Sequence, residues 1–242
     1  MRGVDSLRGI IGCLLGFLLT VSSMAAERVL LLHGIARSPR HMQPLETALA
    51  QSGFDVMNVK YPSTEHSIED LVDWFQQHVS DRIQATNTPV HVVGYSMGGL
   101  LARAWIHRYR PERLGRVVQL APPNQGSEVA DFFKQNWLFR TFYGPAGQQL
   151  GTQVDLQKLL GPVDYELGVL AGNRSIDPFS SWLIPGVDDG KVSVNSTRVL
   201  GMRAHAVLPV SHTFFPSNAE VQRQTLHFLL NGAFDVQQGG GK

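Results

Sequence analysis

The sequence predicts an α/β fold built on a doubly wound, mostly parallel sheet of about six strands. Short apolar runs rich in valine and leucine alternate along the chain with segments of helical periodicity. Such continuous apolar runs are typical of strands buried on both faces, as in parallel sheets. The chain has 242 residues, of which 43% are hydrophobic and 17% charged, and this suits one compact domain with a sizeable core.

The first part of the chain predicts two strands and two helices in alternation. The apolar run within 27–34 predicts the first strand. Apolar positions three and four residues apart predict a helix over 42–51, which Gly53 ends. The alternating segment 54–61 predicts the second strand. A serine cap and an acidic first turn, Ser67-Ile68-Glu69-Asp70, then open a second helix.

The rest of the chain continues this alternation. Valine-rich segments at 90–94 and 116–121 predict two buried strands, and the pattern between them predicts a helix over 99–109. The apolar positions of 165–172 and 205–210 predict the last two strands.

A final helix is predicted over 215–230, with Ser217 or Asn218 as its cap. Its inward face is expected to comprise Val221, Thr225, Phe228 and Leu229.

One stretch carries recognisable chemistry: Gly94-Tyr95-Ser96-Met97-Gly98, at the junction of a predicted strand and a predicted helix. A serine at so sharp a turn takes a strained backbone conformation, and the flanking glycines let the helix fold back over the strand. The turn exposes the Ser96 hydroxyl and sets the Met97 N–H at a helix N-terminus, where developing negative charge is stabilised. A tight packing turn with an incidental serine is the alternative interpretation.

This stretch resembles the nucleophile elbow of the α/β-hydrolase superfamily, and the surrounding chain is similar to small bacterial lipases and esterases. The resemblance implies a catalytic triad in the chain order serine, acid, histidine. It indicates Ser96 as nucleophile, Asp189 as the acid within an Asp-Gly-x-Val segment, and His212 as the base after the last predicted strand. Asp188 and His205 are the alternatives for the acid and the base.

The same resemblance implies an oxyanion hole made of two backbone N–H groups. One belongs to Met97. The other belongs to Ile35, which follows the glycine of a His33-Gly34 turn at the end of the first predicted strand. His33 itself is expected to be structural, bonding backbone groups and shaping the turn.

A helical lid is the further expectation from the resemblance. The segment 121–130 is similar to a Pro-His-x-Gly-Ser segment of bacterial lipases, with Pro123 and Asn124 in place of the Pro-His pair. An aromatic cluster follows, where such enzymes insert a lid, so an insertion is expected over about 124–165. Ordinary core packing of an insertion is the alternative, and the two are compatible. The residues expected to bind substrate are Tyr95, Phe132, Phe133, Trp137 and Phe142.

The N-terminus predicts export. Arginines precede an almost wholly apolar run at 10–21, and small residues follow it, which is typical of a secretory signal peptide over 1–26. Cleavage after Ala25 or Ala26 would give a periplasmic or secreted protein. An uncleaved segment anchored in the inner membrane is the alternative. The hydrolase domain is then expected over 27–236.

Charge and composition restrict the partners. The net charge is +1 and no basic run occurs, so nothing indicates a nucleic-acid partner. A flexible tail is expected over 237–242. No cofactor and no metal are expected, because some related lipases bind calcium through an acid just past the histidine, and no carboxylate stands in 213–215.

The resulting hypothesis is a serine hydrolase that cleaves a small-molecule or lipid ester through an acyl-enzyme, with peripheral contact to a lipid surface. A thioesterase, amidase or acyltransferase on the same fold is the alternative. A non-catalytic binding protein that kept the fold is the third hypothesis. The oligomeric state stays open.

Overall fold

The computed structural model describes residues 25–85 and 87–235 and confirms the predicted α/β class. Six parallel strands form one sheet in the order β2-β1-β3-β4-β5-β6. The strands are β1 (Arg28–Leu32), β2 (Asp55–Val59), β3 (Val90–Tyr95), β4 (Leu114–Leu120), β5 (Leu167–Gly172) and β6 (Ala204–Leu208). Because the order reverses beside β1, the carboxyl ends of β1 and β3 border the crevice where doubly wound sheets bind ligands.

Helices connect successive strands. They are α1 (Pro39–Gln51), α2 (Ile68–Gln84), α3 (Met97–Tyr109), α4 (Glu128–Phe133), α5 (Trp137–Gln148), α6 (Leu156–Leu160), α7 (Pro178–Leu183) and α8 (Ala219–Asn231). A 3₁₀ helix, His212–Ser217, precedes α8. Helices α4 to α6 all lie between β4 and β5. The expectation that this segment acts as a lid stays a prediction.

The sheet separates two apolar cores. One lies against α2 and α3, where Phe75 meets Trp105 edge to face with ring centroids 5.2 Å apart. The other lies against α1 and α8, and contains Met42 and Phe228. Burial of the sheet on both faces explains the continuous apolar runs in the sequence.

Two element boundaries differ from expectation in an instructive way. Helix α3 begins at Met97, directly after the turn, rather than at residue 99. The predicted helix over 215–230 is wrong in its first turn. Residues up to Ser217 form the 3₁₀ helix, and α8 starts only after Asn218, whose side chain accepts hydrogen bonds from the N–H groups of Glu220 and Val221. An asparagine cap holds an extended backbone, so the α-helix cannot continue backward through it.

Predictions for both ends of the chain fall mostly outside the described residues. The signal peptide over 1–26 is described only from residue 25, and the tail over 237–242 not at all. Within 25–85 and 87–235, no helix combines the length and hydropathy needed to cross a bilayer.

The contact between β1 and α3 is close enough to require glycine. A Cβ on Gly98 would lie 2.4 Å from the carbonyl oxygen of Leu32 and 2.5 Å from that of His33. A Cβ on Gly94 would lie 2.5 Å from the Gly98 oxygen. Real Cβ atoms do not approach backbone so closely, so these glycines set the distance between the sheet and the helix.

We therefore expect Gly98→Ala to lower the free energy of unfolding by about 3 kcal/mol, because the clash is with fixed backbone. The matched control is Gly99→Ala, whose added Cβ would lie 3.2 Å from the Gln119 side chain and 3.3 Å from the Gly94 oxygen, a tight approach but not the clash found at Gly98. That variant should lie within about 1 kcal/mol of wild type, since alanine is the better helix former. Urea unfolding followed by circular dichroism measures both, and equal losses would contradict the packing argument.

Candidate active site

Ser96 lies in the turn between β3 and α3 with an unusual backbone. Its φ is 54° and its ψ is −124°, a conformation that non-glycine residues rarely adopt. The surrounding structure holds it there, since the Ser96 N–H donates to the Leu120 carbonyl at 2.8 Å. Strain of this kind persists where packing over-determines the backbone, and it often marks a functional position.

Three side chains meet at this turn through two hydrogen bonds. The Oγ of Ser96 lies 3.1 Å from Nε2 of His212, and Nδ1 of His212 lies 2.7 Å from Oδ2 of Asp189. An ionised carboxylate can only accept, so Nδ1 carries the proton and Nε2 is free to accept the proton of the hydroxyl. Ser96, Asp189 and His212 come from the ends of different strands, and the structure brings all three together.

Asp189 is fixed by its own backbone surroundings. Its Oδ1 accepts from the N–H groups of Lys191 at 3.0 Å and Val192 at 2.9 Å. The side chain is 1% exposed, so these bonds replace the solvation that burial removes. Oδ2 is thereby left directed at His212.

His212 is held from both sides of its peptide. Its N–H donates to the carbonyl of Asp189 at 2.9 Å, and its own carbonyl accepts from the hydroxyl of Tyr95 at 2.9 Å. The Tyr95 ring is buried in the core and lies 5.2 Å from the imidazole. Tyr95 was expected to bind substrate, and the structure corrects this. The side chain positions His212 and offers no exposed surface.

The alternative acid and base are engaged elsewhere. Oδ1 of Asp188 accepts from the Ser181 hydroxyl and the Gly190 N–H, both at 2.7 Å, which is the behaviour of a turn residue. His205 bonds Thr197 Oγ1 through Nε2 at 2.9 Å. Burial, with a smaller effect from the charge of Arg198, lowers the pKa of His205 to about 4.

The two expected oxyanion donors flank Ser96. Met97 is the first residue of α3, so its N–H has no acceptor within that helix. Gly34 packs against the turn, and a Cβ there would lie 3.3 Å from the Cβ of Ser96. Ile35 follows directly, so its N–H belongs to the same loop after β1, and its role as a donor stays a prediction.

His33 is enclosed behind this loop. Its ring stacks on Tyr61 with centroids 4.1 Å apart, and Nδ1 bonds the Gly34 carbonyl at 2.9 Å. The hydroxyl of Tyr61 donates to the His33 carbonyl. Burial lowers the pKa of His33, which keeps the ring neutral. These contacts fit a residue that shapes the turn.

The expected substrate-binding aromatics lie on the insertion at differing exposure. Three of the rings are more than half exposed: Phe132 at 54%, Trp137 at 71% and Phe142 at 67%. Phe133 is half-buried and stacks on Phe139 with ring centroids 6.1 Å apart. Phe132 and Phe133 pack on Phe179 of α7. A role of these rings in substrate binding stays a prediction.

Helix α7 contributes two aromatic side chains that the sequence did not indicate. Phe179 packs edge to face on Phe132 with centroids 5.8 Å apart, and Trp182 lies 6.5 Å further along and is 78% exposed. The prolines at 178 and 185 are typical of a loop. Pro178, however, occupies the first helical turn after the cap Asp177, where proline is favourable.

A buried polar network behind α3 was also missed. Gln119 donates to the Gly99 carbonyl at 2.8 Å and accepts from Asn124 at 2.9 Å. Arg103, fully buried, donates to Asn124 Oδ1 at 2.9 Å and to the Gly161 carbonyl at 2.8 Å. The network links α3 to β4 and to the insertion. A polar residue inside the apolar run of β4 was the available signal.

The described part of the chain contains no candidate metal site. No group of three His, Cys, Asp or Glu side chains there could hold an ion. The side chains and backbone of the site offer a hydroxyl, an imidazole that can take its proton, and N–H groups that can stabilise negative charge.

Comparisons with known proteins agree with the fold. A model of the alpha/beta hydrolase family matches residues 29–221. Palmitoyl-protein thioesterase 3 of Dictyostelium discoideum is 26% identical over 158 residues, which cover 61% of this chain and 52% of that protein. The aligned region thus spans about half the length of this relative.

Solved structures share the fold. The mature form of the Bacillus licheniformis lipase BlEst2 has a TM-score of 0.65 at 18% identity, covering 85% of this chain and 90% of that chain. The metagenomic carboxyl esterase MGS0156 has a TM-score of 0.66 at 16% identity, covering 78% and 65%. Since the family model extends from the first strand into the last helix, the chain belongs to the alpha/beta hydrolase family.

Proposed function

We propose that the protein is a serine hydrolase that cleaves carboxylic esters through an acyl-enzyme on Ser96. The observation that carries this proposal is the continuous hydrogen-bond chain from Ser96 Oγ through His212 to Asp189, at 3.1 and 2.7 Å. A packing turn would not need a histidine and a buried acid aligned with its hydroxyl. The esterase and lipase neighbours support the same reaction class.

The proposed reaction has two balanced halves. Ser96 Oγ attacks the ester carbonyl carbon while its proton moves to Nε2 of His212, and the alcohol then leaves with that proton. Water repeats the sequence in reverse. It gives a proton to His212, attacks the acyl carbon and releases the carboxylic acid, and Ser96 recovers its proton. Asp189 keeps the imidazole in the right tautomer and stabilises the imidazolium.

The backbone supplies electrostatic stabilisation in this scheme. The N–H groups of Met97 and Ile35 would donate to the oxyanion of each tetrahedral intermediate, and the N-terminus of α3 adds a favourable dipole. Such donors lie on rigid backbone, so little reorganisation is needed as the charge develops.

The exposed rings of the insertion support an apolar acyl group. Phe132, Trp137 and Phe142 are large apolar side chains, each more than half exposed, in the segment between β4 and β5. We propose that these rings bind the acyl chain and that the segment carrying them acts as a lid over the active site.

A thioester is the second candidate substrate. The similarity to a palmitoyl-protein thioesterase favours it, although that relative is matched over only half its length. The same residues would act, and a thiolate leaves more readily than an alkoxide, so the demand on His212 as acid would be lower. No observation favours an amide or an acyl transfer.

Removal of the nucleophile is the first test of the proposal. We expect Ser96→Ala to lower kcat for 4-nitrophenyl butyrate by about 10⁴-fold or more, because the oxyanion donors alone leave only residual catalysis. The unfolding free energy should not fall, since alanine also lacks a branched side chain. Retained turnover in a folded variant would refute the proposal.

The acid is tested by a matched pair. Asp189→Asn should lower kcat by about 10²–10⁴-fold, because an amide no longer enforces the tautomer that His212 needs. Asp188→Asn keeps an oxygen acceptor for Ser181 and Gly190, so its kcat should change by less than about threefold. Steady-state kinetics on one ester measures kcat of both variants. A larger loss in Asp188→Asn than in Asp189→Asn would assign the catalytic acid to Asp188.

Acyl-chain dependence tests the role of the exposed rings. We expect Trp137→Ala with Phe142→Ala to lower kcat/KM for 4-nitrophenyl decanoate by about tenfold, the loss of roughly 1.4 kcal/mol of apolar contact, and to leave the acetate nearly unchanged. Leu200→Ala removes an apolar side chain that is 95% exposed, in the turn before β6, and serves as control. A uniform loss on both esters would contradict a substrate-binding role.

A further inference from the structure

The loop after β1 and the first turn of α1 carry basic residues that the proposed catalysis does not use. Arg37, Arg40 and His41 line an open cleft of about 470 Å³, together with Ala36 and Ser38. No carboxylate belongs to this lining. The cleft begins directly after Ile35, the expected oxyanion donor, so it adjoins the candidate active site in the chain.

The cleft also adjoins the site in space. The His41 ring lies 5.2 Å from the ring of Tyr95, and Tyr95 in turn lies 5.2 Å from the ring of His212. The charge of Arg37 acts on the hydroxyl of Tyr95. The cleft is therefore separated from the His212 imidazole by one buried ring.

The positive charge of this cleft is unneutralised. Other exposed arginines of the chain form salt bridges with acids, for example Arg110 with Asp164 at 2.6 Å. Across the described segments, neither Arg37 nor Arg40 takes part in a salt bridge. Two unpaired guanidinium groups three residues apart leave a local positive potential, which attracts anions.

His41 responds to that potential. Burial, and then the charge of Arg37, lower the pKa of His41 to about 4. The ring is therefore neutral near pH 7, and the charge of the cleft resides on the two arginines. Nε2 of His41 is buried and makes no hydrogen bond within the described residues.

We propose that Arg37 and Arg40 bind an anionic group of the substrate, a carboxylate or a phosphate, so that the enzyme prefers esters that carry a negative charge. This rests on the proposed ester hydrolysis. Guanidinium groups present planar pairs of donors that match both kinds of oxyanion. The first turn of α1 adds to the attraction, because the side chain of its cap Ser38 makes no hydrogen bond to the helix.

The kinetic test compares charged and neutral esters of matched length. Mono-4-nitrophenyl glutarate is set against 4-nitrophenyl valerate, and 1-butyryl-glycerol 3-phosphate against glycerol monobutyrate. The two pairs distinguish a carboxylate on the acyl side from a phosphate on the alcohol side. In wild type at low salt, at least one charged ester should have the higher kcat/KM of its pair.

The variant is Arg37→Gln with Arg40→Gln. It should reduce the charged-to-neutral ratio of kcat/KM about tenfold, mainly through KM, as expected for loss of a charge-assisted hydrogen bond. The control, Arg82→Gln, removes one positive charge in the last turn of α2, where the guanidinium lies 3.6 Å from Met57 Sδ and the Arg82 carbonyl accepts from Arg28 at the start of β1. It should leave all ratios unchanged. An unchanged ratio in the double variant, or equal losses on both members of a pair, overturns the proposal.

Binding without turnover separates this proposal from the proposed function. Glycerol 3-phosphate and glutarate are titrated calorimetrically into Ser96→Ala and into the same protein with both arginines replaced. Binding of either anion that is lost with the arginines supports the cleft even if no ester is hydrolysed. Ester hydrolysis with no arginine-dependent binding of either anion supports the hydrolase and overturns the cleft.

Discussion

The close approach of α3 to the sheet determines the turn at Ser96 and its backbone conformation. Gly98 lies against the carbonyl groups of Leu32 and His33 with no room for a Cβ. That contact forces the chain to turn within one residue, and Ser96 takes up the turn at φ 54°. The strain at Ser96 is sustained because the core on both faces of the sheet, together with the Ser96 N–H bond to Leu120, leaves the backbone no relaxed alternative.

The rest of the site follows from where parallel strands end. The loops after β5 and β6 bring Asp189 and His212 to the same edge as the turn after β3, which is how open α/β sheets assemble their sites. Backbone groups then fix each member. Two N–H groups hold Asp189, and the Tyr95 hydroxyl holds the carbonyl of His212. The serine, the imidazole and the acid are thus positioned by bonds that involve no substrate.

The sequence was sufficient for elements with a strong period and for the proposed site residues with a strong motif. Buried valine runs predicted the strands, and the glycine-flanked serine predicted the turn. Features that depend on single long-range contacts could not be predicted from the sequence. The direction of Tyr95 depends on a carbonyl 117 positions away, and the Gln119–Asn124–Arg103 network joins three separate elements. Helix α7 has six residues, too few to show a period.

The central claim is that Ser96 is a nucleophile activated by His212. A fluorophosphonate probe tests it most directly, because the probe reacts only with an activated hydroxyl. After labelling of the intact protein and proteolysis, peptide mass spectrometry should find the phosphonyl adduct on Ser96 alone, and His212→Ala should greatly slow its formation. An unlabelled Ser96 in the folded protein, or labelling that does not depend on His212, would contradict the account.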